Sequence, residues 1–224
     1  FMCQPSISKT MHFSSIELLV EQDIGRIIIP AMYQRLGIEV IVIPLPANRA
    51  QQEAVLGDTD GEIMRIWSYG IDNPDMIRVP TAYYYLQTGA FIVKDSDVLI
   101  SNKTDLAQYR LARVRGVKHT NSITAGLPFV NDMSNTQQMM RYLSAGMVDV
   151  ALTNIIDGQK VIKNSDYKNI ILVTPPLATY KLYHYLNKKH AALVSKIDLV
   201  IRDMQTSGEL TQLIAKANAE VMNH

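Results

Sequence analysis

Hydrophobic and polar positions change period repeatedly along this chain, and each change marks an element. Met11–Ile16 reads as a first strand with Ser14 and Ser15 near its end. Ile24, Ile27, Ile28, Met32 and Leu36 keep helical spacing, and Gly37 stops that helix. Pro30 lies inside the run, so the helix either begins near Ile29 or kinks. Glu39–Leu45 is β-branched and apolar and predicts a buried strand. Asn48 followed by Gln51 resembles a capping box for a helix ending at Gly57, with a strand over Gly61–Ile66. Ile77–Val79 is a short strand before Pro80, and Ala82–Lys94 is one long extended stretch. Thr104-Asp105 opens a short helix, Leu111–Gly116 is a strand, and His119–Gly126 is a short helix behind it. Ser134 and Gln137 cap a helix that ends at Gly146. Val148–Thr153 and Asn169–Thr174 are strands, the second broken by Pro175-Pro176. Leu193, Ile197, Val200, Ile201 and Met204 form a helical stripe ended by Gly208, and Leu210, Leu213, Ile214 and Ala217 form another.

One phrase occurs twice. Residues 51–66 and 139–154 each give a helix-like stretch, a glycine, two residues, an aspartate and a strand-like run. The glycines are Gly57 and Gly146, and the aspartates are Asp60 and Asp149. A glycine supplies the left-handed turn that ends a helix, and an aspartate suits the turn into the strand. The same phrase is common in α/β proteins generally. Strands alternating with helices predict an α/β fold with a mostly parallel sheet. There are more alternations than one sheet with a single break accommodates. We therefore expect two Rossmann-like lobes with a cleft between them and a two-strand hinge. The first lobe would take residues 1–88 and 181–224, the second residues 89–180.

Composition narrows the class. The chain has 224 residues, 47% of them hydrophobic, and a formal net charge of +1. No basic block with interleaved aromatics points to nucleic acid. The longest apolar runs are about eight residues, and a spanning helix needs roughly 20. The single cysteine, Cys3, excludes an internal disulfide. Phe1-Met2 ahead of it is unlike the small residues that a lipidation site prefers. No basic and apolar leader is visible, so a secretory signal is expected to have been removed.

Enzyme motifs are missing from the sequence: no phosphate loop, no dinucleotide fingerprint, no nucleophile elbow and no metalloprotease helix. His184 and His190 are not at helical ligand spacing. Asp58, Asp60 and Glu62 cluster at a turn, where solvated or capping roles are commonest. Strand ends are the remaining place for chemistry, because ligands of parallel sheets sit outside the carboxyl ends of the strands. Those ends carry Ser14, Ser15, Arg65, Trp67, Arg115, Asn154 and Asp157. Thr120 and Asn121 follow Arg115 at a helix start, where free N–H groups favour anions. Arg65 and Arg115 could each grip a carboxylate through two hydrogen bonds, or serve surface or inter-lobe ion pairs. Trp67 and Tyr84 could wall a ligand or pack in the core.

Short pieces in a fixed order carry a family resemblance over nearly the whole chain. They are Leu36-Gly37, Pro46-Ala47-Asn48-Arg49-Ala50, Gly57-Asp58-Thr59-Asp60-Gly61-Glu62, Arg115-Gly116, Leu143–Asp149, and Met204 followed by Gly208-Glu209-Leu210. In these the chain resembles the two-lobed type II periplasmic solute-binding proteins of amino-acid ABC importers. The resemblance implies a monomeric periplasmic protein with no cofactor. Its lobes would close on a small polar or carboxylated ligand, and its partner would be an inner-membrane permease. Three features depart from the family. Ser14-Ser15-Ile16-Glu17 stands where an aromatic or proline loop is usual, Ile66–Arg78 lacks the Thr-x-x-Arg element, and Asn154 replaces an aspartate. The α-amino-acid recognition set is therefore incomplete. The rival expectations are a ligand-sensing domain of the same fold, and a dehydratase-like enzyme using Asp157 or Glu17.

Overall fold

The computed structural model describes residues 10–223, arranged as two compact units. Cys3, considered above for lipidation, lies outside the described residues. Unit 1 holds the described residues up to Ile16, then Ile24–Tyr83 and Tyr183 onward; unit 2 holds Glu17–Asp23 and Tyr84–Leu182.

Unit 1 is built on β1 (Met11–Ile16), which pairs in parallel with β2 (Val40–Leu45) and β3 (Gly61–Ile66). Helix α1 (Val20–Gln34) continues past Pro30. The proline removes one intrahelical hydrogen bond. Ile24, Ile28, Ile29, Met32 and Tyr33 compensate, each wholly buried along one face. The helix therefore starts well before Ile29. Helix α2 (Ala47–Leu56) begins at Pro46 without any side-chain cap, so Asn48 lies inside its first turn rather than capping it. Strand β2 is half-exposed where a buried strand was expected, because it lies at the edge of its sheet among the described residues.

After β3 come the one-turn helix α3 (Tyr69–Asp72) and β4 (Met76–Arg78). Strand β5 (Tyr84–Val93) then opens the main part of unit 2. It lies antiparallel to β8 (Val150–Asn154), which pairs in parallel with β6 (Leu111–Val114), and β6 with β7 (Val130–Met133). Helices α4 (Lys118–Ile123), α5 (Thr136–Ser144) and α6 (Ile155–Lys163) link these strands. Phe91, Met139, Met140, Leu143 and Ala151 form one core of this unit; Ile92, Leu106, Leu111, Val150 and Leu152 form another. Strand β8 is buried along its whole length, as a strand covered on both faces must be. The cap of α5 is Asn135, whose Oδ1 accepts the Gln138 N–H at 2.8 Å. Gln138 Oε1 accepts the Ser134 N–H in return. The expected cap was thus one residue out of register.

Strand β9 (Ile170–Asn187) is longer than the sequence suggests. It passes through Pro175-Pro176, where a break was expected. The register slips there: Thr88 faces Ala178 while Ala90 faces Val173. The prolines fall in the slipped segment, where no ladder bond needs their missing N–H. Residues Ile170–Leu182 pair with β5 in unit 2, and Tyr185–Asn187 pair antiparallel with β4 in unit 1. Helices α7 (Ala191–Thr206) and α8 (Glu209–Asn223) complete unit 1.

The repeated phrase has a structural cause. In unit 1 the His12 N–H donates to Asp60 Oδ2 at 2.8 Å, and the Asp60 N–H donates back to the His12 carbonyl. In unit 2 the Arg110 N–H donates to Asp149 Oδ2 at 2.8 Å, and the Asp149 N–H donates to the Arg110 carbonyl. Each aspartate thus pins the strand it introduces to the start of the neighbouring strand. The glycine ahead of it takes a positive φ, 84° at Gly57 and 70° at Gly146. Asp60 also accepts His190 Nε2 at 2.5 Å and Lys189 Nζ at 3.2 Å.

A second internal fixture is His184, wholly buried in unit 1. Its Nδ1–H donates to the Glu62 carbonyl at 2.8 Å, which leaves Nε2 to accept from the Tyr33 hydroxyl at 2.7 Å. Burial pushes its pKa down to about 4. Tyr33→Phe should cost about 1–3 kcal/mol, because it strands a buried acceptor. Urea titration at neutral pH would read this loss.

Candidate functional site

Unit 2 contains a cavity of about 480 Å³ where three helix starts converge. Leu18, Val20 and Asp23 come from the start of α1, Asn135, Thr136 and Gln137 from the start of α5, and Asp157, Lys160, Val161 and Asn164 from α6. Its floor is polar. Asp157 Oδ2 accepts the hydroxyls of Thr136 and, at 3.0 Å, Thr153, while Oδ1 accepts the Val20 N–H at 3.3 Å. Val20 and Thr136 are the first residues of their helices, and Asp157 lies in the first turn of its own. Helix N-termini favour negative charge, so this carboxylate is well placed despite being buried.

Beside it lies Glu21, 2% exposed, whose Oε2 accepts Asn154 Nδ2 at 3.0 Å. Burial, and then the charge of Asp157, push Glu21 up to about 7. Burial pushes Asp157 up as well, and its hydrogen bonds oppose the shift. Two carboxylates sharing a buried site do not both ionise cheaply.

Of the residues singled out in the sequence, the structure brings Asn154 and Asp157 together through this network. Thr120 and Asn121 lie on α4; the Thr120 hydroxyl donates to the Val117 carbonyl, and Asn121 Oδ1 is buried without a partner. His119, between β6 and these residues, is buried with Nδ1 at 2.7 Å from the Thr88 hydroxyl, and burial pushes it down to about 3. Arg115 follows β6, is exposed, and has no side-chain partner among the described residues. Tyr84 is buried at the start of β5, opposite Leu182.

The remaining candidates belong to unit 1 and are engaged internally. Ser14 Oγ donates to the Ala50 carbonyl at 3.0 Å, and Ser15 Oγ accepts from Arg26 Nη1 at 2.9 Å. Arg65 is buried and grips Glu62 through Nε and Nη2, with Nη2 also reaching the Ala47 carbonyl at 3.2 Å. Burial works against its charge, but Glu62 outweighs that and holds Arg65 above the usual range. Trp67 is half-exposed, with the Arg78 guanidinium 3.1 Å from its ring centroid and Tyr183 edge-on at 5.8 Å. Glu21, Thr136 and Arg78 were missed in the sequence. An acid in a first helical turn, or an arginine at a strand end, is too common to stand out.

Neither a protein-family model nor a curated protein matches the sequence. Solved structures do match the fold. A histidine kinase sensor domain with similarity to periplasmic binding proteins is 16% identical, with a TM-score of 0.80, over 93% of this chain and 95% of that one. A variant of the arginine-binding protein ArgBP from T. maritima is 14% identical, with a TM-score of 0.76, over 94% and 95%. The amino acid ABC transporter substrate-binding protein AbpA from Streptococcus pneumoniae, bound to L-arginine, is 14% identical, with a TM-score of 0.75, over 95% and 96%. The fold is therefore that of the periplasmic binding proteins, as the sequence resemblance implied. Among the described residues no helix is long and apolar enough to cross a membrane, and no group of His, Cys, Asp and Glu could hold a metal ion.

Proposed function

We propose that this chain is an extracytoplasmic, non-catalytic solute-binding protein that captures a small polar, amino-acid-like ligand for an ABC permease. The observation that carries this reading is the unit 2 cavity. It has room for a small molecule, amides and hydroxyls on its walls, and the opposite charges of Asp157 and Lys160 at one place. Its carboxylate still has lone pairs for an ammonium group after accepting three hydrogen bonds. Amino-acid-binding proteins of the same fold support the ligand class. Arg65 is neutralised by Glu62, so a ligand carboxylate would be met elsewhere, and Arg115, exposed and unpaired in unit 2 though not part of the cavity lining, is the arginine we assign to it.

A thermal-shift screen against amino acids, polyamines, small carboxylates and sugars tests the reading. Ligand at 100 times its dissociation constant adds about 2.7 kcal/mol of stability. A shift confined to amino acids or amines supports it, and a flat screen on folded protein removes it. With a ligand in hand, Arg115→Ala should weaken binding about tenfold by calorimetry, as expected for a lost charge-assisted pair.

The match to a kinase sensor domain favours a second reading, a ligand-sensing domain of the same fold. Ligand-dependent stimulation of a reconstituted permease separates the two: transport requires it, and sensing does not.

A further inference from the structure

Residues Glu17–Asp23 belong to unit 2, although Ile16 before them and Ile24 after them belong to unit 1. The segment, which includes the first turn of α1, is a short strap docked on β8 and α6. Leu19, Val20, Glu21 and Gln22 are all buried. Polar bonds hold it at Val20 N–H to Asp157 and at Glu21 to Asn154. It supplies Leu18, Val20 and Asp23 to the cavity wall. Leu18 has φ 58° and is 61% exposed. A leucine in that left-handed conformation is strained by about 1–3 kcal/mol and persists only where its surroundings impose it.

We propose that residues Glu17–Asp23 form a proton-operated latch on unit 2, closed while Glu21 carries a proton and loosened when Glu21 and Asp157 are both charged, so that one wall of the cavity yields as pH rises. That the cavity is the ligand site rests on the function proposed above; the latch itself does not.

The charges around Glu21 decide the direction. From α6 it faces Asp157, and Lys160 of the same helix acts on Asp157. From β8 it meets the neutral amide of Asn154, while Thr136 of α5 donates to Asp157; its own segment adds Asp23 and Glu17. Asp157 has three hydrogen-bond donors and Glu21 has one side-chain donor, so the proton resides on Glu21. The folded pKa of about 7 lies above the ordinary 4.5. The docked strap therefore binds a proton that the released strap gives up. Docking is strongest below about 4.5 and weakens as pH rises through about 7.

The test is hydrogen exchange by mass spectrometry on the ligand-free chain, corrected for intrinsic rates, at pH 6 and pH 8.5. The amides of Val20, Gln22 and Asp23 report on the latch, the last two through their bonds to the Leu19 carbonyl. Their opening should rise about tenfold over this interval in the native chain and stay flat in Glu21→Gln. Equal opening at both pH values in the native chain, or the same rise in Glu21→Gln, overturns the latch. Should Glu21→Gln not fold, carbon NMR titration of the glutamate carboxyls in the native chain serves instead. A midpoint near 7 supports the latch, and all midpoints near 4.5 overturn it. A flat ligand screen leaves these readouts untouched, so the two proposals fail separately.

Discussion

Glu62→Ala will lower the stability of unit 1 by about 3–5 kcal/mol, measured by urea unfolding. Glu62 is 2% exposed and Arg65 4%, and the carboxylate meets the guanidinium at two nitrogens. Removing the acid leaves a buried cation with only the Ala47 carbonyl and the face of Tyr69, 5.0 Å away, for company. Replacing both members, as in Glu62→Leu with Arg65→Met, should recover most of the loss, because a well-packed apolar pair is often as stable as a buried ion pair. A cost under about 1 kcal/mol for Glu62→Ala would mean that Arg65 readily finds another anion. That would restore it as a candidate grip for a ligand carboxylate.

The second large effect is expected at Gly61, the first residue of β3. A Cβ built there would lie 2.1 Å from the Tyr185 carbonyl oxygen and 3.0 Å from the Leu186 Cα. Both obstacles are backbone atoms of β9, so no side chain can swing aside. Gly61→Ala should cost about 3 kcal/mol by pushing the two strands apart. The same substitution at Gly126 meets nothing within 4 Å and serves as the control for left-handed backbone alone. Thermal unfolding of the two variants side by side checks the difference.

These positions also show what the sequence could reveal. The helix–Gly–turn–Asp phrase was legible because its physics is local: a left-handed cap, then an aspartate one turn away. The sequence could not say that Asp60 and Asp149 reach the backbone of His12 and Arg110, since those partners lie far off in the chain. Caps lie one or two residues from where the sequence predicts them; at α5, Ser, Asn and Gln crowd together at 134–138 and any of them can bond the first turn. Proline ends neither of the elements that contain it. In α1 a fully buried face outweighed Pro30, and in β9 a slipped register absorbed Pro175-Pro176.

Site chemistry was less legible than the fold. Asn154 and Asp157 stand out in the sequence because they lie at and just past a strand end, but their partner Glu21 does not. Its importance comes from burial against β8 and α6, and nothing in Val20-Glu21-Gln22 signals burial. Arg65 carried the opposite risk. An arginine three residues after a glutamate in a strand lies on the opposite face by simple alternation, yet here the two side chains meet in the core.

The division of the chain has a consequence for how it acquires its structure. Unit 2 occupies 84–182 apart from the short strap, whereas unit 1 needs its early strands, then Tyr183–Asn187 of β9 and the last two helices. As the chain emerges from its amino end, the unit begun first is completed last. Strands β1 and β3 wait through the synthesis of the whole of 84–182 before β9 can join their sheet. Domains complete as units during synthesis, and contacts distant in sequence form slowly. Unit 2 can therefore mature ahead of unit 1, and the half-made sheet of unit 1 is the part of the nascent protein most in need of protection from aggregation.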